Sequence, residues 1–235
     1  KLEAIPGMRV NLSSDEFIAQ VNKIGLAVIS QTGRLVPADG QMYALRDVTG
    51  TVDSIPLIAA SVMSKKIACG AQAILLDVKF GHGAFMKDID GARALAHCMV
   101  GLGQRRGRLV RAALSSMDQP LGCQIGNALE VDEVLAILRG ENRGSNLAQV
   151  ARQLAQQLLH LAELVASPQE AEEKVARLID SGQALEKFGE MIEAQGGDRR
   201  ITEDSKRLPQ SRDKIELVLG KAGYVCALEA EKVGL

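Results

Sequence analysis

Short, unbroken runs of apolar residues, separated by helical patterns, constrain the fold of this chain more than any other feature. Three such runs occupy residues 26–30, 73–78 and 109–114. A strand that is apolar on both faces is covered on both sides, as in a parallel sheet packed between helices. The sequence therefore predicts an α/β fold for its first half, with a parallel-type sheet flanked by helices.

Residues typical of helix ends lie between these apolar runs. Ser13 and Glu16 have the spacing of a capping box and precede a short amphipathic helix that Gly25 would end. A further helix over residues 51–70 has Pro56 near its start and a glycine at its end, which is the usual asymmetry. Capping side chains predict two more helix starts, at Asp88 and Ser167.

The pattern changes along the chain and suggests four parts. Residues 1–127 are predicted to form a central α/β portion, and residues 128–198 have apolar positions at helical spacing. Residues 199–213 are polar and are predicted to be a connector. The alternating run within 214–235 predicts the start of a C-terminal α+β domain. Because the chain begins with Lys1 and ends just after this run starts, we expect it to be a piece of a longer protein.

Composition and charge exclude several classes of protein. The chain has 235 residues, with 28 Lys and Arg against 29 Asp and Glu, and a net charge of -1. A general nucleic-acid binder would need a broad excess of basic residues. Aromatic residues make up only 3% of the chain, so we expect no aromatic platform on which bases stack.

The cysteine and hydropathy patterns indicate a reducing, aqueous setting. The four cysteines are far apart, and no histidine supplements them at the spacing of zinc ligands. No apolar run reaches the ~18 residues of a membrane helix, and no signal peptide is indicated. We therefore expect a cytoplasmic protein without structural zinc, disulfides or a membrane segment.

The strongest chemical signal lies around the helix at 51–70. Ser61 and Lys65 are four residues apart, so on a helix they project from the same face. Arg46 precedes this helix on a segment that can fold back over it. A guanidinium, an ammonium and a hydroxyl that converge suit a planar ligand with carbonyl and imide edges, on which the cations would stabilise negative charge. The alternative is that Lys65 belongs to a solvated helix end.

These residues lie within stretches that resemble the pyrimidine-nucleoside and thymidine phosphorylases. The run at 43–58, which reads YALRDVTGTVDSIPLI, is long and specific. The similarity covers essentially the whole chain, and it continues through residues 1–7, 36–39, 77–86, 119–122, 126–131 and 194–197. The resemblance implies a nucleoside phosphorylase/phosphoribosyltransferase-like catalytic domain, joined to a helical domain across a closing cleft.

This resemblance implies the reversible phosphorolysis of uridine, thymidine and deoxyuridine. Phosphate, the co-substrate, would attack the anomeric carbon and give free base and (deoxy)ribose 1-phosphate. Arg46 and Lys65 would be the catalytic residues at the carbonyl edges of the base, and Ser61 would contact the imide edge. Three further residues would line the base pocket: Tyr43, Ile58 and Phe85. The resemblance also implies a homodimer in the full-length protein.

A potassium ion is the cofactor that the resemblance implies. Its ligands would be the backbone carbonyls of Leu121 and Gln124 and the carboxylate of Glu133. Oxygen ligands of this kind suit a hard cation. The alternative is that Glu133 is a residue on the surface of a helix.

The phosphate-binding stretch of the family, a Lys-His-Ser followed by glycines, has no counterpart in this sequence and would lie upstream. We therefore expect this chain alone to be inactive. His82, between two glycines, aligns with a different part of the family pattern and is interpreted as a loop or pocket-edge residue.

Three alternatives remain open at this point. The protein could be a strict thymidine phosphorylase, although the residues at 64–68 and 83–87 favour the broad enzymes slightly. It could be a truncated fragment without a phosphate site that turns nothing over. It could also be a related enzyme such as an anthranilate phosphoribosyltransferase. The Arg46, Ser61 and Lys65 set argues against this last alternative, because anthranilate lacks an imide edge.

Overall fold

The computed structural model describes residues 1–30, 36–218 and 220–234. Helices and strands come first in the order α1 (Ser14–Ile24), α2 (Pro37–Thr49), α3 (Ile55–Ala68), β1 (Ala73–Phe80), α4 (Ile89–Arg105) and β2 (Leu109–Ser116). Four helices follow, α5 (Asn127–Leu138), α6 (Asn146–Leu161), α7 (Pro168–Asp180) and α8 (Gln183–Ala194). The shorter elements are 3₁₀ turns at Leu2–Ala4, Arg199–Thr202 and Ser205–Arg207, and a last helix, α9 (Ala230–Gly234).

Two parallel strands form the sheet within the described residues. Strands β1 and β2 pair in parallel, with Ala73 opposite Leu109 and Phe80 opposite Ser116. Helix α4 connects the two strands, as a parallel pair requires. The predicted α/β class is confirmed, and each of these strands extends two residues beyond its predicted end.

The first core lies on one side of this sheet, between the strands and helices α3 and α4. Ile74, Leu76 and Val78 alternate along β1 and are all buried. Gly103 lets α4 approach β2 closely, because a Cβ there would lie 2.2 Å from Cγ2 of Val110. This packing fixes α3, and the side chains that α3 carries, against the sheet.

A second core joins the start of the chain to the helical portion. Ile5, Leu135, Ile192 and Ile201 are its fully buried members. Ile201 follows α8 within the predicted connector, so this part of the connector packs against the second core.

The side chain of Gln195, which is fully buried, ties three segments together at this core. Its Nε2 donates to the carbonyls of Arg9, at 2.6 Å, and Val28, at 2.9 Å. Its Oε1 accepts from the Val28 backbone N–H and from the side chain of Gln20. All of its hydrogen-bonding capacity is directed at the first 30 residues, so Gln195 holds the start of the chain onto the second core.

The strand predicted at 26–30 is wrong. Residues 26–30 form no strand in the structure. Val28 hydrogen-bonds to the side chain of Gln195, and Ser30 N–H donates to the carbonyl of Val10, so the partners of this run are a side chain and a loop. A strand needs a neighbouring strand, and an apolar run does not by itself supply one.

Helix ends are predicted well where a local capping signal marks them. The capping box of Ser13 and Glu16 forms, and Gly25 ends α1 in the left-handed conformation. Asp88 caps α4. The helix predicted at 51–70 instead begins at Ile55.

The strands predicted within 214–235 do not form in the residues that the structure describes. Residues 214–218 and 220–229 form no regular element, and α9 follows them. Alternating apolar residues need a paired neighbour to become a strand, and none lies beside them in the described ranges. Among the same residues, no helix has the length and apolar character needed to span a membrane.

Candidate functional site

Helix α2, which carries Asp39, Tyr43 and Arg46, was not predicted as a helix. Pro37 in its first turn and Gly50 just after its last residue, at a φ of 65°, were the sequence signals for it. The first turn of α2 meets the last turn of α3, and the last turn of α2 meets the start of α3. The two helices therefore run in opposite directions, side by side.

The structure brings Ser61 and Lys65 into direct contact, as their spacing predicts. Lys65 Nζ donates to the Ser61 hydroxyl at 2.9 Å and to the Ser61 carbonyl at 3.1 Å. The Ser61 side chain is buried, whereas about a quarter of the Lys65 side chain is exposed. Lys65 is therefore held at its tip and still reachable from solvent, which contradicts a freely solvated helix end.

Asp39 is a member of this cluster that the sequence reasoning missed. Its Oδ2 lies 2.7 Å from Lys65 Nζ, which makes an ion pair, although the angle is not that of an aligned hydrogen bond. Burial alone raises the pKa of Asp39, but the contacts with Lys65 and Ser61 and the charges of Lys65 and Arg46 outweigh it and hold the pKa below its ordinary value. Asp39 is therefore ionised at neutral pH.

Arg46 lies two turns further along α2 than Asp39, where it is buried and is held by the backbone. Its guanidinium donates to the carbonyls of Thr51, Val52 and Leu57, which lie in the turn before α3 and in its first residues. Arg46 thus engages the Thr51 and Val52 carbonyls in the turn before α3, which begins at Ile55 and not at 51. The Arg46 guanidinium also lies over the ring of Tyr43, at 5.2 Å from its centroid.

The three predicted pocket residues have different surroundings. Tyr43 is half exposed beside Arg46. Ile58 packs against the first core. Phe85 is half exposed on the loop that follows β1. The structure thus brings Tyr43 to the Arg46 side of the cluster and leaves Phe85 on a separate loop.

Glu133 on α5 is buried, with 3% of its surface exposed, so the alternative of a surface residue is wrong. Its carboxylate accepts from the backbone N–H groups of Cys123, at 2.9 Å, and Gln124, at 3.0 Å. A Cβ on Gly122 would lie 2.3 Å from Glu133 Oε2, so a larger residue there would displace the carboxylate. The carboxylate therefore fixes the loop at 121–124 against α5.

The residues present here offer the kind of oxygen donors that a hard cation takes. Among the described residues, no cationic side chain pairs with Glu133, and neither the Leu121 nor the Gln124 carbonyl accepts a hydrogen bond. Their carbonyl oxygens and a buried carboxylate form an oxygen-only donor set. In the same part of the chain, no three His, Cys, Asp or Glu side chains cluster, so any cation here would depend on carbonyls.

His82 lies in an exposed loop, as interpreted from the sequence. Its Nδ1 is 2.9 Å from Asp118 Oδ1, and both side chains are largely exposed. Hydrogen bonds from His82 and Ser116 lower the pKa of Asp118. This pair joins the loops that follow β1 and β2.

The comparison with known protein families gives a single consistent result. Residues 1–185 match the family described as "Glycosyl transferase family, a/b domain". The chain is 49% identical over 234 residues to the pyrimidine-nucleoside phosphorylase of Geobacillus stearothermophilus, and 49% identical over 235 residues to that of Bacillus subtilis. A third such enzyme, from Staphylococcus aureus (strain bovine RF122 / ET3-1), is 48% identical over 235 residues.

Each of these similarities covers 100% of this chain and 54% of the relative. The chain thus spans about half the length of the curated relatives it matches. The family match alone covers more than three quarters of the chain, and it includes both strands and the Asp39, Arg46, Ser61 and Lys65 cluster. The chain therefore belongs to the glycosyltransferase family that this α/β domain defines.

Proposed function

We propose that this chain supplies the base-binding part of a pyrimidine-nucleoside phosphorylase. The observation that carries the proposal is the contact between Lys65 and Ser61, with the buried Arg46 on the neighbouring helix, in a chain 49% identical to enzymes of that name. In the proposed reaction, a phosphate oxygen bonds to the anomeric carbon of the nucleoside. The bond from that carbon to the base nitrogen breaks, and its electron pair leaves with the base, which later takes up a proton.

The chemical demand on the protein is to stabilise negative charge on the departing base. We propose that Lys65 and Arg46 face the carbonyl oxygens on which this charge accumulates, and that the Ser61 hydroxyl contacts the imide edge. Asp39, Lys65 and Arg46 together leave one net positive charge beside the base. A fixed positive charge in a site with little water stabilises an anionic base far better than solvent does.

Tyr43, Ile58 and Phe85 complete the proposed pocket. Tyr43 already contacts Arg46, so it can support the guanidinium and cover one side of the base. Phe85, which is half exposed, would reach the base when the cleft closes.

We propose that potassium binds to the Leu121 and Gln124 carbonyls and to Glu133. The support is the buried carboxylate that no cationic side chain neutralises among the described residues, together with the two carbonyls that accept no hydrogen bond there. A potassium ion at this place would supply positive charge that orders the 121–124 loop. Phosphate is proposed as the co-substrate, bound by residues outside this chain.

The wider setting is also part of the proposal. Residues 1–127 would form the catalytic portion, 128–198 a helical portion, 199–213 a connector and 214–235 the start of a further domain. The whole enzyme would be a cytoplasmic homodimer that accepts uridine, thymidine and deoxyuridine. This chain alone would bind the base without turnover, because it carries no phosphate-binding stretch.

Thermal unfolding of the chain with different small molecules tests the proposal. Uracil and thymine are expected to raise the unfolding temperature, while cytosine and anthranilate leave it unchanged. Cytosine presents a different hydrogen-bonding edge. It would leave buried polar groups of the site without partners, and such a ligand is strongly rejected. Protection by anthranilate and not by uracil would contradict the proposal.

A further inference from the structure

We propose that Asp39 is a positioning residue that fixes the Lys65 ammonium for contact with the base. This inference rests on the proposed function, which gives Lys65 its role, and it adds a residue to which the sequence analysis assigns no role. The two side chains come from different helices, 26 positions apart in the chain. The last turn of α3 thereby gains a partner from the first turn of α2.

The burial of Asp39 needs an explanation that helix formation does not provide. Only 3% of its surface is exposed, and a buried carboxylate is costly unless a positive charge or hydrogen-bond donors compensate it. Asp39 is in the first turn of α2, but the residue that caps this helix is Val36, with no side-chain hydrogen bond. The cation within ion-pair distance of Asp39 in the described residues is Lys65.

The lysine side chain explains why such a partner is useful. Lysine carries its charge at the end of a flexible four-carbon stem, so its ammonium occupies many positions unless something holds it. The ammonium has three donors, and two of its contacts are to Ser61 on the same helix. The carboxylate of Asp39 approaches from the neighbouring helix and restricts the remaining freedom. A displacement of about 1 Å in such a group is enough to cost a large share of its effect.

The charges around Asp39 fit this role. Asp39 offsets one of the two positive charges of Lys65 and Arg46, so the cluster keeps one net positive charge for the base. If Asp39 were absent, the Lys65 ammonium would keep only its contacts with Ser61, and its flexible stem would be free to turn toward solvent. Asp39 thus acts on the base through Lys65 and does not itself need to touch it.

The first arm of the test measures the ion pair without any ligand. The chain and its Asp39→Asn variant are labelled briefly with an amine-acylating reagent, and the labelling rate of each lysine is followed by mass spectrometry. Lys23, which is exposed in the last turn of α1, serves as the internal reference. We expect Lys65 to react several-fold faster in Asp39→Asn, and an unchanged rate would overturn the proposal.

The second arm measures uracil binding by calorimetry on the same proteins. We expect Asp39→Asn to bind uracil about tenfold more weakly, because the charged contact between Lys65 and uracil would be largely lost. Asp39→Glu should recover part of this loss. Asp15→Asn is the matched control, because Asp15 is also in the first turn of a helix but is exposed. It should bind uracil like the unchanged chain.

A double-mutant comparison separates positioning from a general structural effect. In a Lys65→Met background, Asp39→Asn should change uracil affinity very little, because the group through which it acts is gone. Equal losses with and without Lys65 would overturn the positioning role. Thermal unfolding of every variant shows whether it is folded, and Asp39→Glu keeps the test decisive if Asp39→Asn unfolds. If the unchanged chain bound no uracil, the proposed function would fall and the positioning role with it, whereas the labelling arm would still decide the ion pair.

Discussion

Arg46 Nη1 donates to the Leu57 carbonyl in the first turn of α3, at 3.4 Å, from the last turn of α2. At the other end of the same two helices, Asp39 pairs with Lys65. The candidate base site is therefore built on a helix pair that is tied at both ends. Such a rigid support is what a group needs if it is to stabilise charge in a transition state without reorganising.

The backbone contacts of Arg46 predict that its replacement affects folding as well as binding. Arg46→Ala removes three hydrogen bonds from a buried guanidinium to the backbone, so we expect the free energy of unfolding to fall by about 2 kcal/mol. Urea unfolding of the chain and the variant measures this. Arg93, which is exposed on α4, provides the control Arg93→Ala. Equal stability of Arg46→Ala and Arg93→Ala would show that the guanidinium does not support the turn.

The depressed pKa of Asp39 predicts how stability depends on pH. Folding favours the ionised form of this carboxyl, so its contribution is complete above the ordinary value of 3.8 and is lost as the pH falls through the lower value of the folded state. Asp39→Asn should therefore be less stable than the unchanged chain near neutral pH, and the difference should shrink as the pH falls below 3.8. Urea unfolding at a series of pH values tests this, and a difference that grew on acidification would have the wrong sign.

The surroundings of Glu133 predict a response to potassium. Potassium chloride should raise the unfolding temperature of the chain more than choline chloride does at equal ionic strength. When potassium is at about ten times its dissociation constant, its binding should add about 1.4 kcal/mol to the free energy of unfolding. Glu133→Gln should remove this difference, because the variant lacks the carboxylate charge. Glu172→Gln, an exposed change on α7, should keep it. Identical unfolding in both salts would contradict the cation site.

The hydrogen bonds of Gln195 predict a large effect far from the candidate site. Gln195→Ala removes four side-chain contacts in a fully buried position, so we expect a loss of about 3 kcal/mol in the free energy of unfolding. Gln169→Ala, at an exposed position on α7, should change little. If Gln195→Ala were as stable as that control, the buried amide would not hold the start of the chain.

Features that depend on neighbours in sequence could be predicted from the sequence. The capping box of Ser13 and Glu16 and the contact of Ser61 with Lys65 both arise within about one helical turn. The two parallel strands could be predicted because a strand in such a sheet is buried on both faces and is therefore a continuous apolar run. Each of these features is a consequence of local geometry.

Features that depend on distant partners could not be predicted in the same way. The run at 26–30 is apolar like a strand, but its partners include Gln195, 167 positions from Val28. The pairing of Asp39 with Lys65 requires the relative placement of two helices. The burial of Glu133 depends on the loop at 121–124 folding back onto α5. In each case the partner is set by tertiary packing, which a local pattern does not reveal.

Titration of uracil into the chain by isothermal calorimetry tests the central claim most directly. The unchanged chain should bind uracil saturably, and Lys65→Ala should bind it about tenfold more weakly or worse, because a charged donor is lost. Lys23→Ala, which changes the last turn of α1 in the same way, should bind like the unchanged chain. Equal uracil affinity for Lys65→Ala and Lys23→Ala, or no binding by the unchanged chain, would contradict the account.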